Sequence, residues 1–219
     1  NPDADSNKYR EVQCRKVISH ITSLFVAFQK KQKIQVIVST VAVQEKAHSV
    51  LYTPSSIHTN PNSLNWYSFI RNTYWKDNYK EKYLPGITIG KDTILVKKSP
   101  DFILLKSFEV DIGSLYWVML HTLKFLIWLE DCNKSYGQFT VNDILVNPTK
   151  CTIDIIGGWW NQNFHTQYTG KDLVLVKSLL VNLIKQINEE CPKTILNWIS
   201  FPHKDSRQAY FTWKQLAKC

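Results

Sequence analysis

Glycine is scarce in this chain, with 7 residues in 219, and methionine occurs once. The scarcity goes with missing machinery. No G-x-x-x-x-G-K-[ST] loop is present to cradle a nucleotide's phosphates, and no G-x-G-x-x-G turn to receive a dinucleotide. No serine stands in a G-x-S-x-G elbow, and the six histidines form no H-E-x-x-H pair. The five cysteines, at 14, 132, 151, 191 and 219, include no C-x-x-C pair, so the sequence offers no clustered Cys/His metal site. Unpaired cysteines of this kind suit a reducing, cytoplasmic compartment. Cys14, Cys132 and Cys151 have apolar neighbours and read as small buried hydrophobes. Long apolar runs are absent too. Ile153–Ile156 and Ser178–Ile184 are far shorter than the roughly 18 residues a bilayer requires, so no membrane span is expected, and no secretory segment. The first residue is Asn1 rather than Met, as in a fragment or a processed product.

Aromatic residues and positive charge are plentiful. Eight Trp, ten Tyr and ten Phe give the chain the means to bury a core. Hydrophobic residues at 44% and charged residues at 21% match a globular protein and exclude wholesale disorder. The net charge of +9 is compatible with an acidic partner or a nucleic acid. No run of five or six like charges forms a basic tail. Lysines alternate with aromatics at Tyr74-Trp75-Lys76 and Tyr79-Lys80-Glu81-Lys82-Tyr83, a pattern that suits single-stranded nucleic acid.

The apolar periodicity predicts an α+β chain. Residues 3–28 read as a helix, and 33–43 alternate as a half-buried strand. Residues 53–63 are Pro-, Ser- and Asn-rich and read as a loop, after which Asn62 or Ser63 starts a helix. Residues 92–97 and 102–110 read as two strands around a turn at Ser99-Pro100-Asp101. Asp111 caps a helix running to Asp131 with a wide apolar face. Two short apolar runs, Ile144–Val146 and Thr152–Ile156, make a hairpin across Asn147-Pro148-Thr149-Lys150. Helices are expected at 171–188, after Pro192, and from Ser206 to the C-terminus.

That order resembles the C-lobe of a protein kinase. The family's catalytic loop reads H-G-D-L-x-P-x-N-I-L-V, and here the text is Tyr136-Gly137-Gln138-Phe139-Thr140-Val141-Asn142-Asp143-Ile144-Leu145-Val146. Asn147-Pro148 is similar to a turn in bacterial and phage kinase-like proteins. Gly170-Lys171-Asp172-Leu173 with Lys177 resembles the T-D-I-Y-x-x-x-K helix of a kinase-like family found beside J-domains. The segments Pro192–Trp198 and Ser206–Trp213 resemble that family's closing helices, and Asp3–Glu11 its N-lobe helix start. The resemblance covers about residues 3–20 and 84–218. It implies a reduced or incomplete N-lobe-like region at 1–110, with an unplaced insertion at 29–83, and a mainly helical C-lobe at 111–219.

The catalytic carboxylates of that family are not matched. Phosphoryl transfer needs a loop aspartate to orient the acceptor hydroxyl, and an asparagine and a D-F-G aspartate to hold metal ions. Gln138 stands at the first position, Asp143 at the second and Gly157 at the third. Glu11, Asp143 and Asp154 remain as residual nucleotide or metal candidates, each with a competing reading as an ordinary helix, loop or strand carboxylate. Asp172 and Gly137 carry over as structural residues. In the kinase fold the aspartate accepts backbone N–H groups of the catalytic loop. The resemblance therefore implies a pseudokinase: a catalytically inactive, cytoplasmic binding or scaffold module of bacterial or viral type. It implies a protein partner, no catalytic residues, and no resident metal, ATP or other cofactor. A basic nucleic-acid-binding protein and an atypical ATP-binding kinase are the alternatives.

Overall fold

A computed structural model describes residues 41–54, 83–90, 93–137, 139–157 and 170–217. Over these residues the chain is α+β, with four α-helices and two antiparallel sheets. The first sheet holds β1 (Val41–Lys46), β2 (Ser49–Pro54), β3 (Ile87–Ile89) and β4 (Ile94–Lys97) in the order β1-β2-β4-β3. The second holds β5 (Ile103–Leu104), β6 (Ile144–Asn147) and β7 (Thr152–Ile155) in that order. The helices are α1 (Ile112–Asp131), α2 (Lys171–Ile184), α3 (Lys193–Ser200) and α4 (Ser206–Leu216).

Local chemistry sets the ends of α1. The Asp111 carboxylate accepts the Ser114 N–H at 2.6 Å, and the Ser114 hydroxyl accepts the Asp111 N–H at 2.9 Å, a reciprocal cap that satisfies two helix-start donors. At the other end Asn133 takes a left-handed φ of 56°. Its N–H reaches Glu130 O at 2.9 Å, and the N–H of Lys134 reaches Leu129 O at 2.8 Å, which stops the helix by satisfying its last carbonyls. Between the caps Leu115, Val118, Met119, Thr122, Leu123, Phe125, Leu126, Trp128 and Leu129 are buried. The central core gathers around them with Val176 and Leu180 of α2, Ile195 and Trp198 of α3, and Trp213 of α4. The Trp213 indole donates to Tyr116 O at 3.0 Å, so even this buried ring has its polar atom satisfied.

A second, smaller cluster joins the two sheets. Val50 and Tyr52 of β2 and Ile94 and Val96 of β4 close on Leu104, Leu145 and Ile156. The Leu104 N–H adds a hydrogen bond to Glu45 Oε1 at 3.0 Å, and Lys98 pairs with the same carboxylate oxygen at 3.3 Å.

Several sequence expectations are corrected here. Thr53 and Pro54, expected to open a loop, belong to β2, and the rest of the segment 53–63 lies outside the described residues. The strand expected over 102–110 is cut to Ile103–Leu104 and followed by a 3-10 turn at Leu105–Ser107, where the Phe108 N–H turns back to Leu105 O. Helix α2 stops at Ile184, short of 188. Cys151 is exposed at the hairpin turn with φ 50°, not buried. Among the described residues one helix, α1, is by length and composition long and apolar enough to cross a membrane, with a mean hydropathy of 1.4 over 18 residues. Over half of that window, 56%, is buried inside the fold, the pattern of a core helix, whose apolar residues pack on protein. The helices read at 3–28 and from Asn62, and most of the strand at 33–43, lie outside the described residues.

Candidate functional site

The segment Tyr136–Asp143 follows α1 and enters β6, and its shape is held from two sides. Gly137 has φ 82°, a left-handed conformation that glycine adopts without the strain a side chain would bring. This turn aims consecutive N–H groups at one carboxylate. Tyr136 N–H donates to Asp172 Oδ2 at 2.7 Å and Gly137 N–H to Asp172 Oδ1 at 2.8 Å. Asp172 sits in the first turn of α2 and is 3% exposed. A buried carboxylate is costly unless such donors hold it, and the helix N-terminus adds a favourable field.

Asp143 closes the other end of the segment. Its Oδ2 accepts the Thr140 hydroxyl at 2.6 Å and the Thr140 N–H at 3.2 Å. Its own N–H reaches Thr140 O at 3.0 Å. Its carbonyl accepts Ile156 N–H at 2.8 Å and Gly157 N–H at 3.2 Å, tying the segment to the end of β7. The contact with Gly157 is close. A Cβ added there would overlap Asp143 Oδ1 and stand 2.6 Å from its Cγ. Gly157 is therefore required for space, with the Asp143 side chain filling the room a larger residue would need.

Two tyrosines complete the cluster, and neither was singled out from the sequence. Tyr52 reaches from β2 and donates its hydroxyl to Asn142 O at 2.6 Å. Burial, and then the Asp143 charge, raises its pKa. Tyr136 is fully buried against Phe125 and Phe139, and its pKa rises through burial first, then through the charges of Asp143, Tyr52 and Asp172. A period-two signal for Tyr52 was present in Val50-Leu51-Tyr52, where Val50 and Tyr52 are buried and Leu51 is partly exposed.

Asp154 stands apart. It lies on β7 opposite Leu145, with its side chain exposed, and lines a cavity of about 230 Å³ together with Lys97, His121 and Phe125. The cavity walls still desolvate the carboxyl enough to raise its pKa. Asp143 and Asp172 come together around one loop, while Asp154 serves a different space. Glu11 and Gln138 lie outside the described residues. Among the described residues no group of three or more His, Cys, Asp or Glu side chains is placed to hold a metal ion.

No family model and no curated protein matches the chain.

Proposed function

We propose that the chain is a kinase-fold binding or scaffold module without phosphotransferase activity. The observation that carries the reading is the Asp172 carboxylate receiving the N–H groups of Tyr136 and Gly137. It is the bond that the family resemblance implies for this aspartate. The rigidified loop is retained while the chemistry around it differs. The asparagine position is a carboxylate turned inward on Thr140, and the D-F-G aspartate position is a glycine with no room for a Cβ. Removing charge stabilisation of this kind costs several kcal/mol of barrier in enzymes that depend on it.

The seam between the sheets supports the same reading. Among the described residues Leu104, Leu145 and Ile156 are at most 2% exposed against Val50, Tyr52, Ile94 and Val96, so this part of the junction is packed apolar core, beside the cavity that Lys97 and Asp154 line. In their place the module offers a fixed surface to a protein partner.

The test is turnover and thermal shift with ATP and Mg²⁺ or Mn²⁺. The expected result is no phosphate release and no stabilisation. Turnover that disappears in Asp154→Asn would make the protein an atypical kinase and end this reading.

A further inference from the structure

One cavity takes its walls from both sheets. It holds about 230 Å³ and is lined from β4, β7, α1 and the segment Tyr83–Gly86. The buried part of the lining is apolar. Phe125 of α1 is 1% exposed and meets the Tyr83 ring edge to face, with centroids 5.4 Å apart, and Leu84 and the buried Ile155 add aliphatic surface. The exposed part carries two opposite charges on different sheets, Lys97 at the end of β4 and Asp154 on β7. Among the described residues neither charge has an ion-pair partner, and the two do not pair with each other. Burial shifts the Asp154 carboxyl upward with no donor or cation to offset it, so this group has lost water without gaining a partner. His121 of α1 lines the same space.

We propose that this cavity binds a free α-amino acid with an apolar or aromatic side chain. Such a ligand carries an ammonium and a carboxylate on one carbon and an apolar group beside them. Its ammonium donates to Asp154, and Lys97 donates to its carboxylate, so each unpaired charge of the protein meets the group it lacks. The flexible stem of Lys97 lets its head follow the ligand. The side chain leaves water against Phe125, Tyr83 and Leu84. An apolar cavity of roughly 150 Å³ holds benzene, so the space here takes a ring or a branched side chain together with the charged end. It is smaller than the roughly 300–1,000 Å³ of pockets for drug-sized ligands, so the ligand is small. A ligand of one charge satisfies only one of the two side chains. The site stands apart from the loop at 136–143 and does not depend on the kinase-like reading.

The experiment is isothermal titration calorimetry of the whole chain at neutral pH with L-phenylalanine and with L-leucine, each also as its N-acetyl form and its amide. The expected result is saturable binding of at least one free amino acid, weakened roughly fivefold by either block. Asp154→Asn should close the gap between the free and the N-acetylated ligand, and Lys97→Gln the gap between the free ligand and its amide. Both positions are exposed, so both variants should melt within about 2 °C of the unaltered chain. Absence of saturable binding for both amino acids overturns the proposal. So does equal binding of the blocked forms, or binding that both variants leave unchanged.

Discussion

Asp172 and Gly157 act on the same loop by different physics. Asp172→Ala leaves two buried N–H donors unpaired, which costs about 1–3 kcal/mol. For a chain of this length the melting temperature should fall by roughly 2–12 °C, whereas Asp154→Ala on the exposed edge of β7 should shift it much less. Equal melting of the two variants would mean that the loop does not depend on the carboxylate. Gly157→Ala is expected to cost about 1–3 kcal/mol through overlap with Asp143. The double variant Asp143→Ala with Gly157→Ala should recover part of that loss, since each residue occupies space the other needs. Strict additivity of the two changes in a melting cycle would contradict the packing described.

His203 gives a prediction in pH. Burial first, and the Lys177 charge second, lower its pKa from 6.5 to about 4. Between those values the unfolded chain binds a proton that the folded chain refuses. Stability therefore falls as pH drops from about 6.5 to about 4, and is unaffected by this residue above that window. The raised carboxyl of Asp154 works in the opposite direction where it titrates, because there the folded state holds the extra proton. His203→Gln should flatten the difference in melting temperature between pH 4.5 and pH 7. An unchanged difference would place the acid sensitivity elsewhere.

At the scale of elements, the cap of α1 is open to a direct test. Asp111→Ala removes a carboxylate that accepts Ser114 N–H, and should cost about 1 kcal/mol in thermal or urea unfolding. Asp111 was legible from sequence because an Asp stands immediately before a 3.6-residue apolar pattern. The helix starts at 171, 193 and 206 and the hairpin at 144–155 were legible for similar reasons, through caps, a proline and an Asn-Pro turn. Of the four-stranded sheet the sequence reading reached β1, through the end of 33–43, and β4, through 92–97, and missed β2 and β3. Strand β3 is three residues long, too short for a period-two pattern to stand out. The segment Phe102–Val110 is apolar enough for a strand, yet it bends into a 3-10 turn, with the Lys106 N–H taken by Val141 O across the loop. Tertiary partners of that kind leave no local trace. Around the loop the sequence pointed to Asp172, Gly137, Asp143 and Gly157. The pairing of Asp143 with Gly157 depends on the return of β7, and Tyr52 arrives from the other sheet, about ninety residues away along the chain.

At the scale of the molecule, charge and packing divide the chain differently. The described residues hold 14 Lys and Arg against 12 Asp and Glu, and the rest hold 13 against 6. Most of the net positive charge therefore lies outside the described fold, and the helices around α1 form a nearly neutral body. Packing, by contrast, ties the two sheets together through the Tyr52–Asn142 hydrogen bond and the seven-residue cluster between them. If that seam carries the coupling, the described sheets and helices unfold together, and circular dichroism and tryptophan fluorescence should follow one coincident transition. Leu145 is 1% exposed in the middle of the seam, so Leu145→Ala should cost about 2–5 kcal/mol by leaving a cavity. Tyr52→Phe, which keeps the ring and removes one hydrogen bond, should cost only about 0.5–1.5 kcal/mol. Both losses should appear as a shift of the single transition. Two separate transitions in the unaltered protein would show that the four-stranded sheet folds independently of the helices, and that the seam is a contact between units rather than part of one core.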